Sequence, residues 1–229
     1  MAQASFANEA EHITELRRQI ARFGTGRLPR EKRIQLDKEH RWDRDDFKAL
    51  AALGVIGLTI PEKYGGHGQD IVAATAVIEE LCQFGTSMAG PYIHAAFYGG
   101  MNISENGSKA QKEEMLPKIA RGEMLLCYGL SEPNVGGDLP SVETRAERKD
   151  GKIIINGAKR WCTGADWSDY IYCLVRSGPA EARYKNLSFL LIPTKAPGVS
   201  MSPIQHSNCL LYTSPSPRDQ RGSRMPSSA

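Results

Sequence analysis

Apolar residues recur at helical spacing through the first half of the chain and at strand spacing through the second. Ile13, Leu16, Ile20 and Phe23 fall three and four residues apart, which places them on one face of a helix that Gly24 and Gly26 are expected to end. Arg17, Arg18 and Arg22 between them read as a solvated face. Residues 24–41 are polar and aperiodic, as in a long connector. Asp43 has the chemistry of an N-cap, with Phe47, Leu50 and Leu53 as the apolar stripe of a second helix stopping at Gly54. The run Val55 to Ile60 is too short for a helix of its own and reads as a buried connector. A glycine-dense loop, 61–68, follows without phosphate-loop spacing, and His67 in it is expected to face solvent. Val72, Val77, Ile78 and Leu81 predict a third helix. Pro91 fits the first position of a fourth, carrying Ile93, Phe97 and Met101 to Gly107. Ser108 and Gln111 form a capping box for a fifth, which Pro117 is expected to break or kink.

The period then changes to two. Val142, Thr144 and Ala146 alternate with Glu143, Arg145 and Glu147, and Asp150-Gly151 supplies a type I′ turn into a return strand from Ile153 to Asn156. Short strands also fit 170–175, 187–192 and 199–204. Strands without intervening helices predict an antiparallel barrel or sandwich. The fold class is therefore α+β: an N-terminal all-α domain over 1–123, then an antiparallel β domain, barrel or sandwich, over 124–208.

At the junction lies Tyr128-Gly-Leu-Ser-Glu-Pro-Asn-Val-Gly-Gly-Asp138, where an apolar run gives way to a hydroxyl, a carboxylate, a proline and paired glycines. Exposed backbone N–H groups in such a loop can hold an anion or a polar ring edge, and the same residues also make an ordinary turn. A second constellation is Lys159-Arg-Trp-Cys-Thr-Gly-Ala-Asp166. Trp161 at a strand end could carry a tricyclic ring, with the Thr163 hydroxyl two residues away on the same face, or Trp161 could plug the barrel.

Composition narrows the function classes. Hydrophobic residues are 41% and charged residues 24%, as in ordinary globular proteins. The cysteines Cys82, Cys127, Cys162, Cys173 and Cys209 show neither paired spacing nor neighbouring histidines, so reduced thiols are expected and a zinc site is not. No apolar run approaches the ~20 residues of a membrane span; an intracellular, cytoplasmic protein is expected. From Cys209 the chain turns Ser/Pro/Arg-rich, with no expected strand or helix, and 209–229 resembles translated sequencing adapter. Without Arg218, Arg221, Arg224 and Asp219, Lys+Arg falls from 29 to 26 and Asp+Glu from 26 to 25, so the net charge drops from +3 to +1. No nucleic-acid footprint remains.

Several stretches, in this order, resemble the acyl-CoA dehydrogenase family: 53–68, 107–111, Leu116 through Glu123, Tyr128 to Asp138, Asn156 through Thr163, and Pro197-Gly-Val199. The resemblance implies a helical domain, a central β-barrel and a C-terminal four-helix domain that this chain lacks, assembled as a homotetramer. It also implies bound FAD and a role in fatty acid metabolism. Tyr128, Leu130 and Ser131 match the family's flavin-contacting segment, and Trp161, Cys162 and Thr163 the segment that stacks beside the isoalloxazine and hydrogen-bonds near N5. Gly137 stands where the family commonly has a serine that meets the acyl-CoA. The implied reaction is α,β-desaturation of an acyl-CoA thioester with hydride transfer to flavin N5, followed by electron transfer to an acceptor such as an electron-transfer flavoprotein. No residue of this chain matches the family's catalytic glutamate. Two alternatives remain: a flavin monooxygenase or oxidase of the same fold acting on a non-thioester substrate, and a non-catalytic truncated fragment.

Overall fold

In the computed structural model, which describes residues 9–206 and 209–213, the chain divides into two units, 9–125 and 126–206. The first is helical. Helix α1 (Glu11–Arg27) buries Ile13 and Ile20 as its spacing predicts, but it runs on through both glycines. The reason is packing: the Phe84 ring lies directly against Gly24, in the space a side chain would need. Arg17 is not on a solvated face. It is buried and pairs with Glu9, Glu79 and Glu80, at 2.9 Å, 2.5 Å and 3.4 Å. The expected connector contains helix α2 (Arg30–Lys38), whose one buried residue, Leu36, is too thin a signal to show as a period.

Asp43 caps helix α3 (Arg44–Ala51) by accepting from the Asp45 and Asp46 N–H groups. Phe47 and Leu50 are buried there, whereas Leu53 lies beyond the helix and is exposed. The run after left-handed Gly54 forms a buried 3₁₀ turn (Val55–Thr59), and His67 is exposed. Helix α4 (Ile71–Cys82) starts at an Asp70 cap and leaves Val72 in solvent. Pro91 does not open a helix. It sits inside α5 (Thr86–Ile93), which passes into a π-helical stretch (His94–Met101) and α6 (Asn102–Asn106). A proline supplies no N–H to the ladder, so a register change nearby is its physical consequence. The capping box of Ser108 and Gln111 opens α7 (Lys109–Ala120), which continues past Pro117 without breaking.

The second unit begins with β1 (Leu126–Gly129). β2 (Arg145–Lys149) and β3 (Lys152–Asn156) form the expected hairpin, with Asp150 and Gly151 at φ 50° and 74° as a type I′ turn requires. The alternation at Val142 precedes the strand, which starts only at Arg145. β4 (Cys162–Thr163), β5 (Tyr170–Arg176), β6 (Leu187–Pro193), β7 (Ser202–His206) and β8 (Cys209–Thr213) complete the described strands. One sheet has the order β1-β5-β2-β3 with β6 on β5, and the other β4-β8-β7. Among the described residues no strand pairing joins the two sheets.

The expected all-antiparallel pairing is also incomplete. β1 runs parallel to β5, with Tyr128 opposite Tyr172, and β2 pairs parallel with β5 at Arg145 and Arg176. Parallel neighbours need a long connection, and the 40 residues separating β1 from β5, which contain β2 to β4, provide it. Contrary to expectation, 209–213 is a strand, pairing with β4 at Cys162 and Thr163. Leu210, Leu211 and Tyr212 have strand propensity whatever their origin. Residues 214–229 of the adapter-like tail lie outside the described residues. No helix among the described residues is long and apolar enough to cross a membrane.

Candidate functional site

The two stretches singled out in the sequence, about thirty residues apart, are held together inside the second unit by their backbones and one lysine. After β1 the chain reaches Ser131, whose carbonyl accepts from the Arg160 N–H at 2.8 Å. The preceding carbonyl, of Leu130, accepts from the Lys159 ammonium at 3.2 Å. Gly129 makes room for this: a Cβ there would stand 2.9 Å from Ile171 and 3.2 Å from the Lys159 stem. The turn reading of the loop is also correct for its next residues. The Glu132 N–H donates to the Val135 carbonyl at 2.8 Å and the Val135 N–H back to Glu132 at 3.3 Å, with Pro133 at the second position of the turn.

Glu132 is the anchor of the loop. Its buried carboxylate accepts from Lys159 Nζ at 2.8 Å, from the Glu143 and Thr144 N–H groups at 2.6 Å and 2.9 Å, and from the Thr144 hydroxyl at 2.5 Å. Burial would raise this carboxyl, but the hydrogen bonds from Lys159, Thr144 and the Glu143 N–H outweigh it and hold the group below its ordinary range. An ionised carboxylate with four donors has no capacity left for chemistry. Sequence reasoning missed Lys159 and Thr144 as partners of Glu132. The available signal was a charged residue in an otherwise apolar-to-glycine stretch, which needs a buried counter-charge.

The donors of Ser131, by contrast, are uncommitted. Among the described residues neither its N–H nor its hydroxyl has a protein partner, although the residue is half-buried. The Thr163 hydroxyl is likewise unpartnered and half-buried, while its N–H closes back on the Trp161 carbonyl at 2.9 Å. That turn replaces the extended geometry expected of Trp161 and Thr163. Trp161 is in the left-handed region, at φ 62°, and 50% exposed. The barrel-plug reading is thus excluded; the core tryptophan of this unit is Trp167, at 9%. A large aromatic held in a sparsely populated backbone region with its face in solvent is a feature that invites a ligand. The Arg160 guanidinium lies 5.1 Å from the Trp161 ring centre, and its buried Nε has no partner among the described residues.

Cys162 points into the core with Cys127 and Cys173, so only its backbone can face a ligand. Burial raises the Cys127 thiol strongly and pushes Cys173 up to about 11, which leaves both inert as nucleophiles. The Tyr128 ring lies 5.4 Å from that of Tyr172, which stacks on Phe189 at 4.5 Å. Gly137 lies in an exposed loop with open space around it, next to Asp138, which accepts from the Ser141 hydroxyl.

This arrangement fits one edge of a flat polar heterocycle such as a flavin. An exposed indole offers the face, and unpaired hydroxyl and N–H groups offer the edge. Among the described residues no group of His, Cys, Asp and Glu could hold a metal ion.

Known proteins with similar sequence and fold place the chain in a family. The mitochondrial isovaleryl-CoA dehydrogenase of Pongo abelii is 30% identical over 195 residues, which is 84% of this chain and 46% of that protein. The solved structure of the Tcur3481-Tcur3483 steroid ACAD superposes with a TM-score of 0.77 at 29% identity, over 90% of this chain and 54% of that one. A glutaryl-CoA dehydrogenase from Mycobacterium smegmatis, solved in complex with FADH2, shares the fold at a TM-score of 0.78 and 22% identity, over 90% and 52%. The chain spans about half the length of the curated relatives it matches. Residues 10–123 match the family model of the acyl-CoA dehydrogenase N-terminal domain and 127–211 that of the middle domain, and the chain belongs to the acyl-CoA dehydrogenase family.

Proposed function

We propose that the protein to which this chain belongs is an FAD-dependent acyl-CoA dehydrogenase that desaturates an acyl-CoA thioester between its α and β carbons. The observation that carries the reading is the half-buried pair of unpartnered hydroxyls, Ser131 and Thr163, beside the outward-facing Trp161 indole. Bound there, FAD would supply the two-electron acceptor of the desaturation.

The chain's own residues hold and orient. Trp161 offers its face to the ring, while the Ser131 N–H and the two hydroxyls donate to ring heteroatoms. Preorganised donors of this kind favour negative charge developing on the ring over charge in solvent. The loop cannot drift from its donors, because the Ser131 and Leu130 carbonyls are tied to Arg160 and Lys159. Neither Glu132 nor the buried thiols take the base's role, the first being saturated by donors and the others protonated.

Acyl-CoA as substrate, an electron acceptor such as an electron-transfer flavoprotein, assembly into homo-oligomers and a cytoplasmic location belong to the same proposal. A second reading, a flavin monooxygenase or oxidase on a non-thioester substrate, is favoured by Gly137, which offers no hydroxyl where the resemblance implies one.

The test is spectroscopic. The full-length protein should purify with flavin absorbance and should bleach anaerobically on addition of an acyl-CoA. Flavin that bleaches only with a non-thioester substrate would transfer support to the second reading, and protein that neither carries nor binds FAD would overturn both.

A further inference from the structure

Lys159 touches the loop at two points of different meaning. Its ammonium, 4% exposed, donates to the Glu132 carboxylate and also to the Leu130 carbonyl. The first contact anchors the loop. The second falls on the peptide group whose other end is the Ser131 N–H, one of the donors left without a protein partner. A charge-assisted hydrogen bond at a carbonyl draws electron density along the amide, so the N–H of the same plane becomes a stronger donor. Burial amplifies the effect, since little solvent screens it.

We infer that Lys159 is a positioning residue that strengthens the Ser131 N–H as a hydrogen-bond donor to the bound flavin, through the Leu130–Ser131 peptide. This rests on the proposed flavin site and goes beyond it. It gives a buried cation, remote from solvent, a graded influence on how strongly the site holds the ring and how far it favours the reduced form. The geometry also separates the roles of the two buried charges: Glu132 sets where Lys159 sits, and Lys159 sets the strength of the donor.

The experiment uses full-length protein. Lys159→Met alone would strand the Glu132 charge, so it is made together with Glu132→Gln, which keeps an acceptor for the Glu143 and Thr144 N–H groups. Glu132→Gln alone and Lys159→Arg are the companions. The double variant should bind FAD about tenfold more weakly and show a flavin midpoint potential about 30 mV more negative, the equivalent of a tenfold change for a two-electron couple. Lys159→Arg, which keeps the charge, should recover most of both shifts, and Glu132→Gln alone should move the potential little. A folded double variant with the affinity and potential of the unsubstituted protein would overturn the role of Lys159 and leave the proposed function standing. Unsubstituted protein that binds no flavin would overturn both. The melting temperature of each variant separates a folding defect from an electronic one, because only the latter moves the potential at full flavin occupancy.

Discussion

Substituting Glu132 by leucine tests how the loop is held. The change removes a carboxylate that accepts four hydrogen bonds and leaves the Lys159 ammonium buried beside the Leu130 carbonyl with no counter-charge. Breaking a buried pair from one side costs about 3–5 kcal/mol, chiefly for the charge left behind. The stranded Glu143 and Thr144 N–H groups add to this, but they share one acceptor group, so the costs do not sum; about 4 kcal/mol is a fair working figure. A domain is stable by only about 5–15 kcal/mol, so most of the margin would go. With a urea dependence of about 2 kcal/mol per molar, the midpoint should fall by about 2 M. Buried Trp167, in the same unit, makes fluorescence a usable reporter of the transition. Glu132→Leu combined with Lys159→Met should be less damaging than Glu132→Leu alone, because no charge is stranded. A midpoint within 0.5 M of the unsubstituted protein, on the order of a quarter of the expected shift, or a double variant as unstable as the sum of its parts, would refute the account of the latch.

Other outcomes follow from the same geometry. The Glu132 carboxyl is depressed below its ordinary value of 4.5, so its contribution to stability is complete above that pH and is lost as pH falls through the lower folded value; urea midpoints measured between pH 7 and 3 should fall at the acid end, and Glu132→Gln should flatten the fall. Gly129→Ala puts a methyl 2.9 Å from Ile171 and 3.2 Å from Lys159, an overpacking cost of about 1–3 kcal/mol that thermal unfolding would register. Gly137→Ser adds a Cβ that has nothing within 4 Å and should change stability by less than about 0.5 kcal/mol, while tightening acyl-CoA binding in a calorimetric titration if the substrate is a thioester.

Much of the architecture was legible because burial leaves a period. The capping box of α7, the Asp43 cap and the β2–β3 hairpin rest on local chemistry, and each stands where its residues predict. What the sequence concealed was decided by tertiary contact. Gly24 looks like a helix end but makes space for Phe84, and Pro91 and Pro117 look like boundaries but sit inside helices. The parallel pairing of β1 with β5 has no local signature, since it depends on a partner more than forty residues away. For the site, Ser131, Trp161 and Thr163 were visible as side-chain types in unusual company. Their connection was not, because it runs through backbone carbonyls and through Lys159, whose lysine looks like any other charged residue of a strand-rich segment.

The central claim is that Ser131, Trp161 and Thr163 form one edge of a flavin site, and Trp161 tests it most directly. Its indole is half-exposed and its backbone left-handed, a conformation glycine adopts without strain, so Trp161→Gly should leave the fold intact, with a melting temperature within about 3 °C. Stacking on an aromatic contributes about 1–3 kcal/mol, so the dissociation constant for FAD in the full-length protein should rise at least about tenfold. A folded Trp161→Gly protein that binds FAD as tightly as the original would contradict the claim.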